Sequence, residues 1–476
     1  MLAYSAFLST LLVYALASGG AVSNRTLVTI SYRGNRLDIR HVPNMMAKVI
    51  SASGGRAYAL TQDDHECERC FAQDGMVYDL KAIGIQIVES KCSVGHSQIL
   101  DYLRKAEDLL DIEFECEPDS EVSLVPNPLS HTAQTSHIIT TKCNGGNSVL
   151  GTNDPASSCQ RNLEVIRLGA AWEAVRSAGP ELKDVILAII DSGVDMTHPD
   201  LVNQFWRNPS DNSIGFNFIT NSTNVADDNG HGTHCAGNAA AQTNNSIGIA
   251  GVANMDGSMP HVKLMILKFV DSYGSGLASD AMRALNFAVE NGAALSSHSY
   301  GYAIPKKLLE TGFKNAAAAG HVTIVSAGNN RARLEDDAHY PCSYAPEIPS
   351  MLCIAASTSD PTETVSLASF SNAATFIKVA APGVYIYSTM PRGSYGYMSG
   401  TSMSTPTTAG VAALLATLGL KGQDITNIII NSRTTGIPNE FNLSDIGEVD
   451  TLKAVQMALK QVISFAASNS LRGYGR

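Results

Sequence analysis

Three glycine-bracketed segments hold residue types that can do chemistry together. In Ile189-Ile190-Asp191-Ser192-Gly193-Val194-Asp195, an apolar run of buried-strand character ends on a carboxylate. In Asn229-Gly230-His231-Gly232-Thr233-His234-Cys235-Ala236-Gly237, a histidine stands between two glycines that admit close backbone approach. In Ser399-Gly400-Thr401-Ser402-Met403-Ser404-Thr405-Pro406, a serine precedes an apolar helix over Ala409 to Leu418. Each has an ordinary reading by itself. An aspartate after a strand serves as a loop residue or as a metal or ribose ligand. A pair of histidines at i, i+3 suggests a metal site, although helical zinc-protease pairs are spaced i, i+4 about a glutamate that is absent here. A serine at a helix start is an N-cap. Together, a carboxylate, an imidazole and a hydroxyl are the parts of nucleophilic catalysis, because a hydroxyl attacks a carbonyl only when a base takes its proton.

In the chain order Asp, His, Ser, these motifs resemble those of the subtilisin-like serine proteases, over nearly the whole region that follows Thr152. The resemblance implies a serine endopeptidase that hydrolyses peptide bonds through an acyl-enzyme, with Asp191, His231 and Ser402 as its triad. Asn329, in Ser326-Ala327-Gly328-Asn329-Asn330, matches the family's oxyanion-hole asparagine. Gly274, Ser275 and Gly276 match one edge of the substrate groove, and Ser299, Tyr300 and Gly301 the other, so an extended peptide is expected between them as an added strand. Ser299 to Gly301 and Ser326, Ala327 and Gly328 are expected to wall the pocket for the residue before the scissile bond. Asn330 is not an acid, so the expected preference is for apolar or small uncharged side chains. Departures from the family pattern are Ser404 for alanine, Thr407-Thr408 for His-Val, and a more polar strand at Leu295-Ser296-Ser297-His298-Ser299-Tyr300.

Asn244-Asn245-Ser246-Ile247-Gly248-Ile249-Ala250-Gly251 resembles the family's calcium loop. The ligands carried over are Asn245, the carbonyls of Thr243, Ile247 and Ile249, the Asp200 carboxylate, and Asp154 from some members. An all-oxygen set suits Ca²⁺ in a structural role; a polar surface loop is the alternative.

The elements that must position these residues differ along the chain. From about Thr152, short Val/Ile/Ala-rich runs alternate with helical stretches and Gly-rich turns, the pattern of an α/β parallel sheet flanked by helices. Before it, residues 24–125 carry 11 Lys+Arg against 17 Asp+Glu. Strands near Leu27 to Tyr32, on both sides of Ala82-Ile83-Gly84 and over Ile112 to Cys116, with a helix over Ser97 to Leu110, make a small α+β unit. It loosely resembles the family's ferredoxin-like inhibitory prodomain, best over Met76 to Val122. Such a prodomain is an intramolecular inhibitor of an autoprocessed zymogen. Residues 126–151, rich in Ser, Thr, Asn, Pro and Gly, read as a linker containing the processing site, and 152–476 as the catalytic domain.

The chain has 476 residues, a formal charge of -11 and 44% hydrophobic residues, which excludes a disordered chain and leaves no basic footprint for nucleic acid. Its first 20 residues contain an apolar run ending in small residues, read as a secretory signal peptide rather than a buried N-terminal element, so the protein is expected to be secreted. No stretch has the length of a membrane span. Sequons at Asn24, Asn221, Asn244 and Asn442 allow glycosylation, and a monomer acting on peptides and proteins is expected. Nine cysteines leave at least one thiol outside any intrachain pairing. By resemblance to some subtilases that thiol is Cys235, and Cys342 with Cys353 is the most plausible pair. Cys67 and Cys70 are expected to pair with Cys92 and Cys116, a zinc or redox role being the alternative. Two rival readings are a narrow-specificity processing protease and a secreted pseudoprotease that only binds peptides; the intact triad and Asn329 argue against the second.

Overall fold

The computed structural model describes residues 25–32, 35–52, 60–72, 77–89, 94–125, 143, 145–255 and 261–473, the side chains of the last helix up to residue 464. The proposed signal peptide lies outside them. The chain divides into two units, Met1–Glu121 with Leu277–Ser279, and Val122–Gly276 with Asp280–Arg476.

The first unit runs β1 (Arg25–Tyr32), β2 (Asn35–Arg36), α1 (Val42–Ala52), α2 (Gln62–Ala72), β3 (Val77–Leu80), β4 (Ile85–Glu89), α3 (His96–Leu110) and β5 (Ile112–Pro118). Its antiparallel sheet has the order β2-β1-β4-β3, with β5 on the other side of β1. Val28 lies opposite both Cys116 and Gln86. α3 buries Ile99, Tyr102, Leu103, Ala106 and Leu110, a helical stripe that packs on Val28, Ile30, Val88 and Ile112. The anticipated hairpin, helix and final strand are present. α1 and α2 were not anticipated: the buried stripe of α2 is only Asp64, Cys67, Cys70 and Phe71 in an otherwise charged sequence, so little apolar periodicity marks it. Asp64 is buried because Thr61 N donates to its carboxylate at 2.6 Å and Lys105 Nζ at 2.7 Å. Cys70 is disulfide-bonded, but Cys67 and Cys116 are free thiols, contrary to the expected pairing. Cys67 belongs instead to the unit's apolar core, where burial pushes its thiol up to about 12.

The second unit takes up the chain within β6 (Glu121–Leu124), from Val122 on. It continues through α4 (Arg161–Val165), α5 (Leu168–Ala178), β7 (Val185–Asp191), β8 (Gly215–Asn217), α6 (His231–Ala240), β9 (Val262–Lys268) and β10 (Ser275–Leu277). Then follow α7 (Ala278–Glu290), β11 (Leu295–His298), β12 (Tyr300–Gly301), α8 (Lys307–Ala318), β13 (Val322–Ser326), β14 (Met351–Ser357) and β15 (Val379–Pro382). Last come the hairpin β16 (Ile386–Met390) and β17 (Ser394–Met398), α9 (Thr401–Thr417), α10 (Gln423–Ser432), β18 (Gly447–Glu448) and α11 (Thr451–Gly473). Eight strands form one sheet in the order β18-β15-β14-β13-β11-β7-β9-β8. Every neighbouring pair in it is parallel, as the alternating runs and helices predict. β7 is apolar throughout Val185 to Ile190, as a strand buried on both faces must be. The order reverses at β7: β8 and β9 lie on one side of it and β11, β13, β14, β15 and β18 on the other. Open α/β sheets bind ligands in the crevice at the carboxyl ends of such strands.

α9 is buried over all 17 of its residues, which explains why it is apolar or small on every side. Residues 145–151, expected as linker, are folded onto this unit. Asn147 Oδ1 accepts from the amides of Val149 and Leu150, Leu150 enters the core, and Cys143 is bonded to Cys159. The Asn and Gly that read as linker are thus turn residues. Cys342 and Cys353 form the second disulfide of this unit, as expected.

Candidate active site

β7 ends on Asp191 in the crevice, and α6 begins on His231. His231 Nδ1 lies 2.9 Å from both Asp191 carboxylate oxygens, and both groups are buried. The segment before α6 is tied down by Asp227. Its carboxylate accepts from Ser192 Oγ at 2.8 Å, Gly230 N at 2.8 Å and Thr233 N at 2.9 Å, capping the helix start. Gly232 is required because a Cβ there would stand 2.2 Å from the carbonyl oxygen of Gly193. Burial opposes charging of His231, but the adjacent Asp191 carboxylate overrides it and lifts the imidazole well above its usual pKa. Nδ1 therefore carries the proton shared with Asp191. Nε2 is buried and without a hydrogen-bond partner among the described residues.

Ser402 is the second residue of α9. Its backbone N–H is among the helix's uncommitted first amides, at the positive end of the helix dipole. Its hydroxyl donates to the Ser299 carbonyl at 3.4 Å rather than to His231. In return Ser299 Oγ donates to the Ser402 carbonyl at 3.0 Å. That carbonyl is available because Pro406, four residues on, has no N–H to donate to it. Cys235 Sγ reaches the same oxygen at 3.5 Å and lies 3.8 Å from His231 Nδ1. Asp191, His231 and Cys235 thus place three potential metal ligands within 4.8 Å of one another. Nδ1 is already held by Asp191, however, and burial raises the thiol's pKa and keeps it protonated, so the group is a hydrogen-bonded pair beside a free thiol. Asn329 Oδ1 accepts from Thr401 N at 2.9 Å and Thr401 Oγ1 at 3.0 Å, which turns the amide nitrogen over Gly400 beside Ser402.

An extended strand occupies the predicted groove. Leu124 pairs with Tyr300 and Ser123 with Gly301 in antiparallel register, and Leu124 N donates to the Gly274 carbonyl at 2.8 Å. Val125 N donates to the Ser299 carbonyl at 3.4 Å, the same oxygen that takes the Ser402 hydroxyl. Ser275 lies on β10, and Gly276 bridges back to Val270. Ser326 ends β13, and Ala327 and Gly328 follow it in the crevice, with Gly328 N donating to Thr401 Oγ1 at 3.1 Å. Beneath Tyr300 runs a buried chain of polar groups. The Tyr300 hydroxyl is 2.8 Å from His298 Nδ1, and His298 Nε2 is 2.6 Å from Ser296 Oγ. Ser296 Oγ is in turn 2.7 Å from His321 Nε2, and His321 Nδ1 is 2.8 Å from the Ala293 carbonyl. The carbonyl can only accept, which fixes every hydrogen: His321 carries its proton on Nδ1, Ser296 donates to His321, His298 donates to Ser296, and Tyr300 donates to His298. The polar strand that departs from the family pattern is this chain.

The subtilase family model (Peptidase S8) matches residues 182–461, more than half of the chain. The chain belongs to the subtilase family. Thermitase from Thermoactinomyces vulgaris is 36% identical over 307 residues, covering 64% of this chain and 99% of that protein. Subtilisin E from Bacillus subtilis is 37% identical over 244 residues, covering 51% of this chain and 58% of that protein. A protease structure from Pseudoalteromonas arctica matches with a TM-score of 0.54 at 24% identity, over 64% of this chain and 99% of that one, which shows the fold. This subtilase is accordingly a serine endopeptidase with the subtilisin-like α/β fold. Among the described residues no helix is long and apolar enough to cross a membrane.

In this subtilase the predicted metal residues come together as well. Asp154 and Asp200 are completely buried. Asp154 accepts from the amides of Asn244 and Asn245, and Asp200 from Asn245 Nδ2 at 2.9 Å, Ile249 N at 2.8 Å and the Tyr395 hydroxyl at 3.0 Å. Burial raises both carboxyls, Asp200 to about 6 with Asp154 adding repulsion, and neither has an ion-pair partner among the described residues. Two buried acids with no cation, beside Asn245 and a loop of backbone carbonyls, fit a hard divalent ion. Thr243 is buried at the base of this loop, its hydroxyl accepting from Gly251 N, while Ile249 is buried and Ile247 exposed. Residues that sequence reasoning missed include Asp227, Tyr395, His321 and His339. Each lies outside the recognisable motifs, and only the fold brings it to the site.

Proposed function

We propose that this subtilase is a secreted, calcium-stabilised endopeptidase made as a zymogen, with Asp191, His231 and Ser402 as its catalytic triad. His231 Nε2 takes the Ser402 proton as the hydroxyl attacks the substrate carbonyl, and Asp191 holds the tautomer and stabilises the imidazolium. The Asp191 carboxylate 2.9 Å from His231 Nδ1, which leaves Nε2 to face the hydroxyl, supports this order of events. Charge on the carbonyl oxygen is received by the Asn329 amide and the Ser402 backbone N–H. His231 then returns its proton to the leaving amine, and water repeats the sequence on the acyl-enzyme.

The observation that carries the reading is the Ser299 carbonyl, which takes both the nucleophile's hydroxyl and the amide of Val125 at the end of an extended strand. A substrate bound in that register presents its reacting carbonyl beside Ser402. The occupying strand, Ser123 to Val125, follows the first unit in sequence, and that unit is the proposed inhibitory prodomain. Apart from the two-residue β2, and with α1 and α2 together in the place of one helix, its elements follow a β-α-β-β-α-β order, and with the β5-β1-β4-β3 pairing this supports the ferredoxin-like assignment. Bound calcium would neutralise Asp154 and Asp200 and rigidify the loop, with Asn245 and the carbonyls of Thr243, Ile247 and Ile249 as further ligands.

The test is to express the full chain and its Ser402→Ala form, then follow release of the first unit and labelling by a fluorophosphonate. The parent should release and label and the variant do neither; an unlabelled parent refutes the protease mechanism. Chelation by EGTA should lower the melting temperature of the released enzyme, and an unchanged value refutes the calcium site.

A further inference from the structure

The pocket walls predicted from the sequence are bridged by a side chain that no motif contains. A Cβ placed on Gly301 would lie 2.0 Å from His339 Cε1 and 2.1 Å from its Nε2. A Cβ placed on Gly328 would lie 3.2 Å from His339 Cδ2 and Cγ. The imidazole therefore lies with one edge against each wall, filling the space that Gly301 leaves open and sharing that of Gly328 with the Asn372 amide, whose nitrogen would lie 2.4 Å from a Cβ there. Its backbone is held firmly: Ser343 N donates to the His339 carbonyl at 2.9 Å, and Tyr340 exchanges two 2.9 Å hydrogen bonds with Tyr302. Burial pulls the imidazole's pKa down to about 4, so it is neutral above about pH 5. Nε2 is buried and has no hydrogen-bond partner among the described residues.

We propose that His339 selects the residue before the scissile bond, its ring closing the pocket between Gly301 and Gly328 to long side chains and its Nε2 pairing with a hydroxyl or carboxamide. The inference rests on the protease reading above and names its substrate class: peptides cleaved after serine, threonine or asparagine. A neutral imidazole nitrogen pairs with these groups in either tautomer, because a hydroxyl or carboxamide can donate or accept. An aromatic ring meets the imidazole, which lies between Gly301 and Gly328. Val125 fits the same logic. Its amide takes the register of the residue before the scissile bond, and valine has threonine's outline without its hydroxyl. A valine in that register is admitted by size yet leaves Nε2 unpaired, which suits an occupant that is held more than it is cut.

The experiment compares peptides identical except for Thr, Val or Phe before the cleaved bond, with the parent, His339→Leu and His339→Gly enzymes, each counted by fluorophosphonate labelling. The parent should cleave after Thr about tenfold faster than after Val, and after Phe at least a hundredfold slower than after Thr, in kcat/KM per labelled site. His339→Leu should lose the Thr-over-Val preference and still reject Phe, and His339→Gly should accept Phe. A parent that is labelled but prefers Phe, or cleaves Val as fast as Thr, overturns the pocket assignment and leaves the protease reading standing. An unlabelled parent overturns the protease reading itself. The parent comparison decides the matter even if a variant does not fold.

Discussion

Replacing His298 by glutamine should make this protein markedly less sensitive to acid. In the buried chain beneath Tyr300, His298 and His321 are wholly enclosed and each ring nitrogen already has a fixed role, so neither can accept a proton without stranding a hydrogen. Burial holds His298 at about 3 and His321 at about 4, with each further opposed by the other's charge or helped only by the Ala293 carbonyl. The unfolded chain titrates both near 6.5, so below that pH it binds more protons than the fold and stability falls as pH falls. Carried from neutral pH to pH 4.5, the loss is about 2.5 kcal/mol per histidine, or about 5 kcal/mol for the pair. Glutamine at 298 can still donate to Ser296 and accept from Tyr300 but does not titrate. In a Ser402→Ala background, urea unfolding can be followed by tryptophan fluorescence. Both tryptophans of the chain, Trp172 and Trp206, are buried in the second unit, so the signal reports that unit alone. The variant should lose about 2.5 kcal/mol less than its parent between pH 7.5 and 4.5. Equal losses would refute the reasoning, since they require His298 to charge inside the fold.

Further outcomes can be stated briefly. Asn329→Ala should lower kcat by about 10²–10³-fold with little change in KM, because its amide acts on charge that exists only in the transition state; a matching rise in KM would contradict that role. Glu448 is buried beside the Ser357 hydroxyl with no ion-pair partner among the described residues, and burial pushes its pKa well up. The unfolded chain loses this proton near pH 4.5 while the fold keeps it, so stability falls as pH rises. Glu448→Leu should therefore gain about 1–3 kcal/mol at pH 7.5 and less at pH 4.5, read by the same urea titration. Stoichiometric mercury on Cys235 should abolish peptide cleavage and spare a Cys235→Ala enzyme; full activity of the labelled parent would show that the space between His231 and Ser402 tolerates the ion.

What could be read from the sequence was whatever is encoded locally. The segments of the proposed triad, Asn329 and the proposed calcium loop are short runs whose glycines and polar residues are dictated by nearby backbone, so they stand out without a fold. α9 was visible for the same reason. His339 carries no such signal: its proposed role arises only because Gly301 on β12 and Gly328 beyond β13 both face it. The chain of His321, Ser296, His298 and Tyr300 was visible only as an unusually polar strand, since His321 enters from β13's approach. The free thiols Cys67 and Cys116 show the opposite limit. Cysteine counting treats thiols as partners, whereas a buried thiol also serves as a small apolar residue, as Cys67 does on α2.

The reciprocal pair between Ser299 and Ser402 has a mechanical meaning. Each serine's hydroxyl grips the other's carbonyl, so the proposed peptide-binding edge at Ser299 and the start of α9, which carries the proposed nucleophile, shift together. Alignment of the peptide and aim of the attacking oxygen are then a single degree of freedom. A peptide seated one residue out of register strains both together. Redesign of the groove at β12 will consequently register as a change in turnover as well as in affinity.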